Sequence, residues 1–269
     1  DEPEPKALPH LDYKIVVGNS LLSKLDDTII DIDWEVKEEQ TDLFGNENKE
    51  RQQQLLNEIS AKQKLVFDPN SNEEKLSLEI RNLKIDLLIN QLDAMVKTKG
   101  ITVKPTGTGK TIKAQTELWL ETIGWKQQIE KLQKLKKSPN ETLHFFDWKL
   151  DFPEIMNEQV TDKVGFDIVI ANPPYVDYRQ IETSITKNNK YPINLKANRP
   201  NLYQYFIELS DYLISKKGIF CFINPNQFLS TDNGYQLRKN LLEKKRIKFI
   251  TDVSYVKIFE EAATYTVVW

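Results

Sequence analysis

The stretch Phe166-Asp167-Ile168-Val169-Ile170-Ala171-Asn172-Pro173-Pro174-Tyr175 joins an apolar run to an abrupt stop. Ile168 to Ala171 has the texture of a buried strand. Asn172-Pro173-Pro174 cannot extend that strand's ladder, because proline has no N–H to donate. A rigid loop is therefore expected at the carboxyl end of a central strand, which is where open α/β sheets bind ligands.

The residue types in that loop suit chemistry on an amino group conjugated to a ring. Such an NH2 is a poor nucleophile, because its lone pair is delocalised. The Asn172 side-chain carbonyl and the Pro173 main-chain carbonyl can both accept hydrogen bonds from it. Two acceptors on one side would orient the amine and push its nitrogen towards tetrahedral geometry. Pro173 and Pro174 stiffen the loop and add no competing donor. Tyr175 offers a flat face for a flipped-out base.

This stretch resembles the NPPY motif of S-adenosylmethionine-dependent DNA methyltransferases that modify adenine N6, of the gamma type found in combined restriction–modification enzymes (type IIG and type ISP-like). The resemblance implies catalytic roles for Asn172, Pro173, Pro174 and Tyr175. It implies S-adenosylmethionine as cofactor and double-stranded DNA with a flipped adenine as partner.

The pattern extends beyond the motif. Gly18-Asn19-Ser20-Leu21-Leu22 is similar to the turn that abuts the cofactor adenine in that family. By resemblance, Asn19, Ala171 and Asn172 contact the cofactor. A segment Phe146-Asp147-Trp148 followed by Phe152-Pro153-Glu154 lies between that turn and the NPPY motif, in the family's order. Phe259 falls where the family places a second aromatic against the flipped adenine; a core phenylalanine between two strands is the plainer alternative. The resemblance covers 11–22 and 142–269. The implied fold class is α/β, a partial Rossmann-like class I methyltransferase sheet with a large α-helical insertion. The corresponding domains are 1–23, 24–140 and 141–269.

In chain order, 1–10 reads as an acidic, Pro-rich linker and 11–17 as a strand. The 24–140 segment is rich in Lys, Glu and Gln. Leu76, Ile80, Leu83 and Leu87 repeat at helical spacing, as do Leu118, Thr122, Trp125, Ile129 and Leu132. Two long amphipathic helices are expected, with a shorter one over 51–64, packed as an antiparallel hairpin or small bundle. Loops are expected over 42–48 and 68–72. Strands are expected over 142–146, 218–223, 247–253 and 264–269, and helices over 201–215 and 233–243. On the second of these last helices, Lys244, Lys245 and Arg246 suit the C-terminal dipole. Residues 176–196, polar and without periodicity, read as a loop beside the site.

Two further motifs compete for a function. Lys104-Pro105-Thr106-Gly107-Thr108-Gly109-Lys110-Thr111 resembles the phosphate loop of helicase-type ATPases, which would make Lys110 and Thr111 nucleotide ligands. Against that, Ile101 to Val103 is too short for a central strand, and lysine replaces the first glycine. Glu35, Val36 and Lys37 after Asp33 faintly resemble a nuclease site but read better as a solvated charge run. The rival functions are a nucleotide-binding module and a helical interaction module.

Composition narrows the setting. The chain has 269 residues, 39% hydrophobic and 29% charged, enough for one large domain or one and a half. Its net charge of −3 is not that of a protein holding DNA by bulk charge, so a local basic patch or a separate domain is expected to do so. The single cysteine, Cys221, implies no disulfide framework, and His10 and His144 lack ligand spacing. No metal site, membrane span or signal peptide is expected, and a reducing, cytoplasmic setting fits. No glycine-rich cofactor loop follows a first strand. The expectation is a fragment, with that loop, a DNA-recognition domain and any nuclease domain elsewhere in the full-length chain.

Overall fold

The computed structural model describes residues 15–26, 28–30, 32, 45–66, 71–158, 160–187, 199–244, 247–256 and 265–269, with backbone alone at 45–47 and 187. The chain divides into two compact units, Asp1–Thr161 and Asp162–Trp269. His10, Asp33, Glu35, Val36, Lys37, Lys245, Arg246 and Phe259 lie outside the described residues.

The first unit opens with a short hairpin, β1 (Lys24–Leu25) and β2 (Thr28–Ile29). Three helices follow: α1 (Gly45–Leu65), α2 (Glu73–Thr98) and α3 (Lys110–Lys136). The expected shorter helix is therefore the inner part of a 21-residue one, and 45–48 is helix rather than loop. Asn72 starts α2 by accepting from the Lys75 N–H at 3.0 Å, and Glu73 and Glu74 complement the dipole in its first turn. Both apolar stripes face one core, formed around Ile80, Leu87, Trp125 and Leu132, with Leu76, Leu83, Leu118 and Ile129 packed against it.

A buried threonine in the α3 stripe has a structural reason. Thr122 Oγ accepts from the Ile101 N–H at 3.0 Å and donates to the Leu118 carbonyl at 2.7 Å. It thus ties the loop after α2 to α3 and leaves no buried hydroxyl unsatisfied. Arg81 closes the other end of α3, donating to the carbonyls of Leu135, Ser138 and Glu141. Those carbonyls lie where a helix runs out of intrahelical donors.

The expected strand over 142–146 is absent. Residues 142–147 carry no regular structure and lead into the short helices α4 (Trp148–Asp151) and α5 (Pro153–Met156). Phe145 and Phe146 are buried by side-chain packing, not by a ladder. The expected strand over 11–17 also fails where it is described: Ile15 and Val17 are exposed and pair with nothing regular.

The second unit carries the larger sheet. Its elements are β3 (Phe166–Ala171), α6 (Thr183–Lys187), α7 (Leu202–Leu213), β4 (Ile214–Pro225), α8 (Tyr235–Glu243), β5 (Thr251–Asp252) and β6 (Thr266–Val268). The strand order is β3-β4-β6-β5. β3 and β4 are parallel, whereas β6 runs antiparallel to both β4 and β5, so the sheet is mixed. The unit is thus α/β, as expected.

Local chemistry explains the boundaries. Helix α7 passes directly into β4 at Ile214, so the helix is shorter and the strand longer than expected. Between the pairs Phe166–Ile214 and Ile168–Ile219, β4 advances five residues while β3 advances two. Gly218 sits inside this irregularity, where a Cβ would meet the Phe166 carbonyl oxygen at 2.6 Å. The expected strand over 247–253 shrinks to two residues, and Phe249 and Ile250 are exposed.

One face of the sheet is covered. Val169, Ala171, Phe220 and Phe222 pack with Tyr203 and Ile207 of α7, Leu237 and Leu241 of α8, and Trp269. The other face of β3 is not: Ile168 is 67% and Ile170 76% exposed, and Ile219 of β4 is exposed beside Ile168. The expectation of a strand buried on both faces is therefore corrected. Among the described residues β3 is also an edge strand with helices on one side only. No helix among the described residues is long and apolar enough to cross a membrane.

Candidate active site

Asn172 and Asn224 stand at the same end of two adjacent parallel strands, each followed by proline. Ala171 pairs with Phe222, so the chain leaves β3 at Asn172 level with the last residues of β4. Burial and hydrogen bonding separate the two turns.

Asn224 is fully buried and fully used. Its Oδ1 accepts from the Trp269 indole N–H at 2.6 Å, and its Nδ2 donates to the Pro225 carbonyl at 2.9 Å. It is a structural asparagine. Asn172 is exposed, and among the described residues its side chain has no hydrogen-bond partner. Pro173 behind it is buried and Pro174 is exposed. A stiff backbone thus presents an uncommitted amide to solvent, which is what an acceptor for an incoming amine requires.

Tyr175 is half-buried, and its hydroxyl donates to the Ile223 carbonyl at 3.3 Å. That contact anchors the ring to the end of β4. Burial raises the phenol above its ordinary pKa, so it stays a neutral donor through neutral pH. The loop after the motif is pinned as well: the Leu202 N–H donates to the Val176 carbonyl at 2.9 Å, and the Tyr178 N–H to Asn201 Oδ1 at 3.2 Å. Of the expected loop over 176–196, the described part holds a 3₁₀ turn, Tyr178–Gln180, and α6.

The Asn19 turn lies in the first unit. Its Oδ1 accepts from the Leu21 N–H at 2.9 Å, and the residue is exposed. The turn docks on the Phe146–Trp148 segment, from which it is separated by more than a hundred residues. The Trp148 indole donates to the Ser20 carbonyl at 3.0 Å, and the Ser23 hydroxyl to Asp147 Oδ2 at 2.7 Å. Gly18 lies so close to Phe146 that any Cβ there would collide with its ring. Phe146, Trp148 and Phe152 form an aromatic cluster with centroids 4.9–6.5 Å apart. The two motifs that occur in family order in the sequence are thus one packed assembly.

The lysine- and glycine-rich loop before α3 carries less. Residues 101–109 form no strand, Gly107 and Gly109 take φ of 117° and 120°, and Lys110 and Thr111 open α3 exposed to solvent. Lys110→Ala is expected to leave thermal stability unchanged; nucleotide binding by the parent chain that this variant loses would restore the phosphate-loop reading. No group of three or more His, Cys, Asp or Glu among the described residues is placed to hold a metal ion.

One polar residue escaped sequence reasoning. Arg199 stands beside Tyr178, 21 positions away along the chain, with no periodic signal linking them. Its only local cue was the Arg-Pro step before a helix.

Residues 13–259 match the family described as Eco57I restriction-modification methylase. The chain is similar to the Type II methyltransferase M.BstVI of Geobacillus stearothermophilus, 29% identical over 110 residues that make up 41% of this chain and 20% of that protein. It is similar to the Type II restriction enzyme and methyltransferase RM.Eco57I of Escherichia coli, 29% identical over 104 residues, 38% of this chain and 10% of that protein. It is also similar to the Type II methyltransferase M.AccI of Acinetobacter calcoaceticus, 29% identical over 105 residues, 38% of this chain and 19% of that protein. The matched stretch spans a fifth or less of each of these relatives.

Proposed function

The chain belongs to the Eco57I restriction-modification methylase family, and from that premise we propose that it is the catalytic part of a DNA methyltransferase acting on adenine N6. The observation that carries the proposal is the exposed, uncommitted Asn172 on a proline-stiffened loop at the carboxyl end of β3. S-adenosylmethionine is the proposed cofactor and supplies the methyl group as an electrophile. On this reading 1–23 and 141–269 are methyltransferase segments, the sheet of the second unit is the Rossmann-like part, and 24–140 is a helical insertion. DNA recognition, and nuclease action where present, fall to other parts of the longer protein.

The chain's own residues divide the work. Asn172 Oδ1 and the Pro173 carbonyl accept hydrogen bonds from the two amine N–H groups and draw the nitrogen lone pair out of conjugation. Because this contact strengthens as the nitrogen becomes tetrahedral, it favours the transition state over bound substrate. Tyr175 stacks on the extruded base, with Phe259 as the second aromatic. For the cofactor, Asn19 has spent its Oδ1 on its own turn, so its Nδ2 remains to donate to a ring nitrogen of the cofactor adenine. Ala171 is small enough to let a ligand approach the strand end, and Asn172 lies next to it.

Two measurements test the assignment. Full-length enzyme should transfer label from S-adenosylmethionine to duplex DNA, and digestion should recover it as N6-methyladenine; recovery as a methylated cytosine would overturn the base assignment. Tyr175 separates ring from hydroxyl. Tyr175→Phe loses the hydrogen bond to Ile223, at a cost of about 1 kcal/mol in stability, while base extrusion persists. Tyr175→Ala should lose roughly 1–3 kcal/mol of stacking as well. A fluorescent adenine analogue at the target position should brighten on binding to the Phe variant and far less with the Ala variant. Equal brightening would reduce Tyr175 to a packing residue.

A further inference from the structure

Just beyond the motif, a cavity of about 320 Å³ is lined by Tyr178, Thr186, Arg199, Pro200 and Tyr205. Two guanidinium groups flank the Tyr178 ring, Arg179 at 5.7 Å and Arg199 at 5.6 Å from its centroid. They are not equivalent. Arg179 is neutralised by Asp177, whose Oδ1 accepts from its Nε at 2.8 Å. Arg199 has no carboxylate partner among the described residues, and its one polar contact is a long bond, 3.5 Å, to the Tyr178 hydroxyl.

The backbone singles out the same residue. Arg199 sits at φ 52°, in the left-handed region that glycine or asparagine occupies more readily. Holding an arginine there carries a backbone cost. The ring beneath it is fixed by the bond from the Tyr178 N–H to Asn201. The cavity therefore offers one uncompensated guanidinium and two phenols, while the Thr186 hydroxyl is already donated to the Thr183 carbonyl at 2.9 Å. That donor set suits a single anionic oxygen cluster with an apolar neighbour.

We propose that the Tyr178–Arg199 cavity takes a backbone phosphate of the nucleic-acid strand whose base enters the Asn172 site. The proposal rests on the methyltransferase reading for the strand's identity. It adds a sequence-independent anchor three residues past Tyr175, and it places a local positive site on a chain whose net charge is −3.

The test is duplex binding by the whole chain across a salt series, followed by anisotropy of a fluorescent DNA. Arg199→Gln should weaken binding several-fold at low salt and reduce the slope of log K against log salt by about 0.9, the value for one phosphate contact. Arg199→Lys should keep the slope. Unchanged slope in Arg199→Gln, or absence of low-salt binding by the parent chain, overturns the anchor. Inorganic phosphate set against chloride at equal ionic strength distinguishes sources: selective competition would mean a free-phosphate site and would also overturn it. In full-length enzyme, Arg199→Gln should raise KM for DNA and spare kcat, the opposite of a change at Asn172. A slope change with no methyl transfer by any variant would leave the phosphate site standing and remove the methyltransferase reading instead.

Discussion

Replacing Asn172 by alanine is expected to lower methyl-transfer turnover about 10²–10³-fold in the full-length enzyme, the range seen when one preorganised hydrogen-bonding group is removed from a transition state. DNA affinity should be unchanged, because the acceptor acts on the amine during attack rather than on the duplex. Stability should be unchanged too, since the side chain is exposed and uncommitted. Burst and steady-state kinetics at saturating DNA, with a thermal melt of the same preparation, check all three. A melt lowered together with turnover would mean that Asn172 supports the loop, and the assigned role would fail.

Asn224→Ala should give the mirror image. It removes the acceptor of the buried Trp269 indole and the donor to the Pro225 carbonyl. A buried donor left without a partner costs about 1–3 kcal/mol. Trp269 is also part of the core that covers the sheet, so the loss should appear as a lower urea midpoint by tryptophan fluorescence. Trp269→Phe removes the stranded donor, and in the double variant the two losses should sum to less than their separate values. Strict additivity would show that the asparagine and the indole do not depend on each other.

The site was more legible in the sequence than the sheet around it. Asn172 and its prolines declare themselves because strand, breaker and aromatic are consecutive. The stripes of α2 and α3 were equally plain, since helical contacts recur every third or fourth residue and leave a periodic trace. Strands leave a weaker one, because a ladder needs a partner that sequence does not name. The run over 142–146 is apolar enough for a strand, yet Phe146 packs against Gly18 and neighbouring aromatics and Phe145 joins the core of the helices, with no pairing. The same limit hid the structural use of Asn224, whose partner is the indole of Trp269, 45 residues beyond it.

The bare side of β3 bears on how the protein behaves as a material. On its side away from β4, the stretch 167–171 is paired with no strand among the described residues, and Ile168 and Ile170 are exposed beside that edge. A second molecule meets there a ready template of matching length and apolar texture, the situation in which sheets grow from chain to chain. Concentrated samples of the isolated chain should accordingly cluster, with light scattering that rises steeply with concentration. A lysine at position 170 would repel such stacking without touching the core on the opposite face.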